Sequence, residues 1–199
     1  MSVEIEAKMK VDNEVSMVAR LKDHGATPVG RFLEINTFYD TEDRALLAAD
    51  EGLRLRISKN LSTGQTQCIL THKGPNRHGQ LKTREETEVE VGNAEAADRL
   101  MDRLGYARCL SFEKRRHSWK LEDCKIELDE VPRLGFFLEI EGPSEESVMR
   151  VRNTLGLSDR PLIKASYIAM LASHLQERGE TATAIVFPPE ADQHIAQAG

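Results

Sequence analysis

Acidic and basic side chains recur at every second position in several short stretches of this 199-residue chain, with the two signs mixed. Glu4, Glu6, Lys8 and Lys10 alternate with Val3, Ile5, Ala7, Met9 and Val11. Arg54 and Arg56 lie among Leu53, Leu55 and Ile57, and Lys73 is in step with Thr71. Lys82, Arg84, Glu86, Glu88 and Glu90 form the longest row, and Lys114, Arg116 and Ser118 form another. Glu127 with Asp129, and Glu139 with Glu141, complete the set. Clustered Lys and Arg suit phosphate oxygens, Arg as a planar fork and Lys as a point charge. Clustered carboxylates without His or Cys partners suit a hard cation such as Mg²⁺ or Mn²⁺. Together they describe a metal-bound polyphosphate, whose chemistry needs positioning and charge neutralisation more than a covalent nucleophile.

Residues two apart in a strand share a face, so these rows predict strands with one charged and one apolar side. The period-two pattern predicts eight of them, at 3–11, 31–40, 52–59, 65–73, 80–91, 107–119, 124–131 and 136–142. Helical spacing predicts helices at 13–24, with Asp12 as N-cap and Val15, Val18 and Leu21 buried, and at 94–104, with Leu100, Met101 and Leu104 buried. Two more are predicted from Ser144 to Leu155 and over 164–177. Strands joined by short connections without βαβ alternation give an α+β class, mainly antiparallel β.

One alternating strand alone is well explained by a solvated sheet face. The set argues further: the helices must cover the apolar faces, which leaves the charged faces to water or to one another. An eight-stranded closure is just wide enough for its own inward side chains or one small ligand, and it removes exposed edges. The expected architecture is an eight-stranded closed β-tunnel with helices packed outside and a charged lumen. Unpaired charges there would cost on the order of several kcal/mol each, so the lumen needs compensating ions.

Composition sets the boundaries. The net charge of −6 argues against non-specific binding to nucleic acid or an acidic membrane surface. No stretch approaches a membrane span and the N-terminus lacks the apolar core of a signal peptide, so a cytoplasmic location is expected. Cys68, Cys109 and Cys124 are odd in number and lack C-x-x-C spacing, which predicts reduced thiols. One domain over 1–178 is expected, followed by a mobile tail over 179–199 with a Pro-Pro pair and no sustained period. Gly74–Gly79 lacks the order of a phosphate loop and reads as a turn. His72 and His117 fall on outer faces, and Tyr39 and Trp119 read as core; Phe137 shares a face with Glu139, where it could stack on a base, but core packing is the favoured reading.

The ordered motifs resemble a known family. Glu4-Ile5-Glu6-Ala7-Lys8 resembles the E-x-E-x-K opening of the CYTH superfamily, the triphosphate tunnel metalloenzymes. The likeness continues through Leu53-Arg54-Leu55-Arg56, Thr71-His72-Lys73-Gly74-Pro75, Arg84-Glu85-Glu86-Thr87-Glu88-Val89-Glu90, Lys114-Arg115-Arg116, Leu128-Asp129-Glu130-Val131 and Leu134–Glu141 to Ser166-Tyr167. The resemblance implies Glu4, Glu6, Asp129, Glu139 and Glu141, with Glu86 and Glu88, as carboxylates for Mg²⁺ or Mn²⁺. It implies Lys8, Arg54, Arg56, Lys73, Arg84, Lys114, Arg116 and Lys164 as the phosphate clamp, with Glu4, Glu6, Lys8 and Arg56 central to catalysis.

The branch most similar is that of the class IV adenylyl cyclases and thiamine triphosphatase-like proteins. A departure is that only Met1, Ser2 and Val3 precede the acidic motif, where better-established cyclases carry a longer segment with His-Phe. Three readings follow: an enzyme cyclising ATP to cyclic AMP and pyrophosphate, a triphosphatase acting on inorganic, thiamine or nucleoside triphosphate, and a non-catalytic polyphosphate sensor. The partner in each is a triphosphate-bearing small molecule, with no nucleic acid or membrane, and the protein is a monomer or homodimer.

Overall fold

A computed structural model describes residues 2–77 and 79–188. The first half contains β1 (Ser2–Lys10), α1 (Glu14–Asp23), β2 (Thr27–Asp40), α2 (Ala45–Ala48), β3 (Gly52–Asn60), β4 (Thr66–Lys73) and β5 (Lys82–Glu90). The second contains α3 (Ala94–Arg103), β6 (Ala107–Leu121), β7 (Cys124–Val131), β8 (Gly135–Glu141), α4 (Glu145–Thr154), α5 (Tyr167–Glu177) and β9 (Ala184–Ile185). The hydrogen-bonded order is β2-β3-β4-β5-β1-β8-β7-β6, and β6 pairs back onto β2, so eight antiparallel strands close into the expected barrel. The seam is long, running from Thr27 opposite Lys120 to Asp40 opposite Ala107.

Register follows from charge as well as from apolar patterning. Lys8 stands opposite Glu139, Glu6 opposite Lys82, Lys73 opposite Glu86, and Arg116 opposite Asp129. Slipping any strand by one residue would turn its charged row outward and its apolar row into the lumen, so both faces hold the same register.

The outward rows make the core. Ala7, Met9, Ile126, Leu128, Leu138 and Ile140 pack under Met17 and Leu21 of α1 and Val148, Val151 and Leu155 of α4. Tyr39 and Leu55 pack under Ala97 and Met101 of α3, and Trp119 is buried as expected. Several local expectations are corrected. Asn13, not Asp12, caps α1, its side chain accepting from Ser16 N, because Asp12 is drawn into an ion pair with Arg160 at 2.8 Å. Val15, Leu100 and Leu104 are exposed, while Met17 and Ala97 take the buried positions on α1 and α3. The single turn α2 gave no periodic signal; the Asp40 carboxylate holds it by accepting from Leu46 N and Leu47 N at 2.9 and 3.1 Å.

Helix α5 packs across one open end of the barrel rather than along the outer faces of its strands. Leu110, Phe112, Val131 and Phe137 share strand faces with Lys114, Arg116, Asp129 and Glu139, so one end of the lumen is apolar. Tyr167, Leu171 and Leu175 bury against these residues and cap that end. The helix starts at Tyr167 rather than 164 because Ser166 caps it and Ile163 N donates to Lys8 O of β1 at 2.8 Å. The segment expected as a tail begins by covering a gap: β7 pairs with β6 only from Arg115 onward, and β9 adds in parallel at Ser111 and Phe112. Ile185 is 2% exposed against α5's cluster, and residues 189–199 lie outside the described residues, as does His78 of the predicted turn. Cys68, Cys109 and Cys124 are free thiols.

Leu171 is fully buried between α5 and the apolar lumen end. Leu171→Ala is expected to lower unfolding free energy by about 3 kcal/mol, read from urea denaturation, since a cavity there has rigid strand walls.

Candidate active site in the tunnel

The lumen and the end beside α5 form one cavity of about 970 Å³. Its polar wall is built by period-two rows of every barrel strand. Glu4, Glu6 and Lys8 come from β1, Arg54 and Arg56 from β3, Lys73 from β4, and Lys82, Arg84, Glu86 and Glu88 from β5. Lys114 and Arg116 of β6, Glu127 of β7, and Glu139 and Glu141 of β8 complete it. Thus the expected site residues converge, with three qualifications of place. Asp129 is wholly buried in the lumen wall behind Arg116. Glu88 lies at the rim with a side chain 45% exposed. Lys164, on the segment entering α5, lines the cavity with its ammonium donating to Gly79 O at 2.5 Å.

Among the described residues, the buried charges of the lumen have opposite neighbours. Lys8 Nζ sits 3.3 Å from Glu6 and 3.2 Å from Glu139, and also donates to Ala165 O. Arg116 grips Asp129 through Nε and Nη2 at 2.7 and 2.6 Å and reaches Glu139 at 2.7 Å. Lys114 bridges Asp129 at 3.1 Å and Glu34 at 3.4 Å, and Arg56 lies 3.4 Å from Glu34. Lys82 pairs with Glu6 at 3.1 Å, and Lys73 pairs with Glu86 and approaches Glu4 at 3.7 Å. Arg54 donates to Thr71 Oγ1, which in turn donates to Glu88 at 2.8 Å. Glu34 and Asn36 belong to this site although the motifs did not single them out. Their positions in β2 alternate with Leu33, Ile35 and Thr37, and that spacing was the available signal. Lys82 and Glu127, already on charged rows, join them.

This packing shifts proton equilibria. Burial opposes charge on Lys8, but Glu6 and Glu139 outweigh it and raise its pKa well above the ordinary lysine value. Burial likewise opposes ionisation of Glu139, and Lys8, Lys114 and Arg116 hold its carboxyl well below the usual range. On the opposite wall the cations crowd: burial and then Arg56 push Arg54 down to about 10, and burial and then Arg54 push Lys73 down to about 8. Burial raises Glu141, with Lys125 opposing and the carboxylates of Glu4 and Glu127 adding to the rise. A phosphate chain would relieve the crowded cations and a cation the crowded carboxylates.

Sequence comparison now bears on this geometry. A family profile described as the CYTH domain matches residues 2–166. The chain belongs to the CYTH family. This CYTH chain is 28% identical over 177 residues to a Methanocaldococcus jannaschii protein provisionally named an adenylate cyclase, covering 84% of this chain and 98% of that one. A solved Pyrococcus horikoshii OT3 protein superposes with a TM-score of 0.77 at 28% identity, covering 86% of this chain and 99% of the other. A Hippeastrum protein, provisionally called an adenylyl cyclase and described with a dominant triphosphatase activity, shares the fold at a TM-score of 0.62 and 19% identity, over 92% and 98% of the chains.

In the ligand-free CYTH chain, Lys73 gives up its proton as pH rises through about 8, so above that pH an incoming anion must bind together with a proton to gain this ammonium partner. Triphosphate affinity measured by calorimetry is expected to weaken through that pH, and Lys73→Arg, whose guanidinium stays charged, is expected to move the decline to higher pH.

Proposed function

We propose that this CYTH chain is a divalent-metal-dependent enzyme that lays an organic triphosphate along the tunnel. We read its reaction as that of a class IV adenylyl cyclase, converting ATP to cyclic AMP and pyrophosphate. The observation that carries the reading is the two-sided cavity: a wall of buried Lys and Arg continues into a recess lined by Phe38, Leu110, Phe112 and Ala169. Inorganic triphosphate has no group for that recess, whereas a nucleobase does. The provisional name of the Methanocaldococcus relative points the same way.

Lys8, Arg54, Arg56, Lys73, Arg84, Lys114 and Arg116 are assigned to the phosphate oxygens. Fixed in a water-poor lumen, they stabilise the charge that builds on the leaving pyrophosphate without reorganising. Asp129 orients Arg116 and Lys114, and Glu86 orients Lys73. In the cyclase reading the ribose 3′-oxygen bonds to the α-phosphorus, the bond to the pyrophosphate oxygen breaks, and the hydroxyl proton leaves to a base.

The carboxylates suit Mg²⁺ or Mn²⁺ by donor chemistry, being hard oxygen ligands without His or Cys. Glu4 Oε2 and Glu6 Oε1 are buried without a well-formed hydrogen bond, each faced by an ammonium, at 3.7 and 3.3 Å, and Glu141 is crowded by Glu4 and Glu127. Among the described residues no three acidic side chains already stand close enough together to hold an ion, because Lys and Arg occupy their oxygens. Phosphate oxygens that drew those cations away would free Glu4, Glu6, Glu139 and Glu141 for a metal. Such an ion supplies neutralisation of phosphate charge.

The second reading is a triphosphatase. It is favoured by the exposed rim, where the Glu88 and Glu141 side chains are 45% and 40% exposed, so water reaches the end of the tunnel remote from the recess.

A product assay with Mg²⁺ or Mn²⁺, offering ATP, inorganic triphosphate and thiamine triphosphate in parallel, separates these readings. Cyclic AMP and pyrophosphate in equal amounts are expected from ATP; orthophosphate as the main product would replace cyclisation with hydrolysis, and binding without turnover would make the chain a sensor. Glu6→Gln and Arg56→Ala are each expected to lower turnover at least a hundredfold while circular dichroism shows the chain still folded at the assay temperature. Near-normal rates in either variant would overturn the site assignment.

A further inference from the structure

A tunnel lined by equivalent cations has no inherent register for a polyphosphate. A chain displaced by one phosphorus meets much the same charges, yet the bond that breaks depends on which phosphorus lies where. Something must read the end of the chain. Two buried polar groups stand at the border between the charged wall and the apolar recess, and neither uses its donor within the protein.

Asn36 is 1% exposed and lines the cavity. Its Oδ1 accepts from Arg56 Nε at 3.2 Å, which fixes the amide orientation and leaves Nδ2 without a partner. Tyr167 is 7% exposed and lines the same cavity, and its hydroxyl also lacks a partner. The Tyr167 ring meets Phe112 edge-on at 6.4 Å, with Lys8 Nζ 4.4 Å and Lys114 Nζ 5.3 Å from its centroid. Asn36 stands directly opposite Phe112 in the β2–β6 register, so Asn36 and the Tyr167 ring are both neighbours of Phe112. Native proteins seldom leave buried donors unpaired unless a ligand or water completes them.

We propose that Asn36 Nδ2 and the Tyr167 hydroxyl form a pair of neutral donors that grip the oxygens joining the phosphate chain to its organic group, and so set the register of an organic triphosphate in the tunnel. The inference rests on the organic-triphosphate reading above and adds the groups that position its ester end. Burial, with Asp129 and Glu139 nearby, keeps the Tyr167 proton in place, so the hydroxyl donates rather than repels phosphate. A neutral donor also leaves the charge gradient of the tunnel undisturbed. Asn36 and Tyr167 are positioning residues in this scheme.

The test is calorimetric binding of two inert probes, α,β:β,γ-bismethylene-ATP and diimidotriphosphate, in Mg²⁺, to the full chain and to Tyr167→Phe and Asn36→Asp. The first variant keeps the ring and its packing; the second keeps the acceptor for Arg56 and removes the donor. Each is expected to raise the Kd ratio of the nucleotide probe to diimidotriphosphate about tenfold, with thermal melts showing both folded. Equal weakening of both probes, or no weakening of either, would overturn the proposal. If the unaltered chain bound diimidotriphosphate but not the nucleotide probe, the register pair would fall while a phosphate-binding tunnel stood. If it bound neither, the organic-triphosphate reading would fall with it.

Discussion

The structure depends on mutual neutralisation of charges that the barrel takes out of water. Among the described strand residues, Lys8, Arg54, Lys73, Lys82, Arg84, Lys114 and Arg116 are buried in the lumen with Glu6, Glu34, Glu86, Glu127, Asp129 and Glu139. Left unpaired, any of these would carry a desolvation penalty of several kcal/mol, which is the scale of a whole domain's net stability. Pairing makes the lumen tolerable without making it strongly stabilising, since buried ion pairs roughly offset their own desolvation. The apolar outer shell must therefore supply the stability, and α1, α3 and α4 are where it does so. Chemistry and stability are thus assigned to opposite faces of the same strands.

This division made much of the fold legible in advance. Period two translates directly into face, so Glu4, Glu6 and Lys8, or Arg54 and Arg56, could be placed inward without knowing the topology. What stayed hidden has a physical cause. Phe137 lies on the face of Glu139 and Phe112 on that of Lys114, but one aromatic residue per charged row is outweighed by the core reading, so the apolar end of the lumen was not marked as a whole. The placement of α5 follows from that end and was hidden with it. Glu34 and Asn36 were obscured because Phe32 and Phe38 share their face, diluting the polar row. The β9 pairing spans two residues and answers a gap in the wall that exists only in three dimensions.

The two walls of the tunnel are electrostatically unlike. Around Lys8 and Glu139 opposite charges interleave and reinforce each other's ionisation, whereas burial and the neighbouring cation, Arg56 for Arg54 and Arg54 for Lys73, weaken the hold on the proton across the lumen. A lumen with one satisfied and one frustrated wall is poised to take up an anion on the frustrated side. Capping by α5 adds an asymmetry along the axis, because Tyr167 brings a neutral aromatic face against Lys8 and Lys114 at one end while the other end meets solvent.

The seam between β2 and β6 also governs how the protein is made. Its two strands are separated in sequence by three other strands and two helices, so their pairing closes a long loop, the kind of non-local pairing that forms slowly. Until then, each strand emerging from the ribosome carries a row of charges facing water, and those charges discourage stacking between unfinished chains. The charged residues of the lumen wall thus first act as gatekeepers against aggregation. Selection on synthesis and selection on catalysis would press on the same alternating positions.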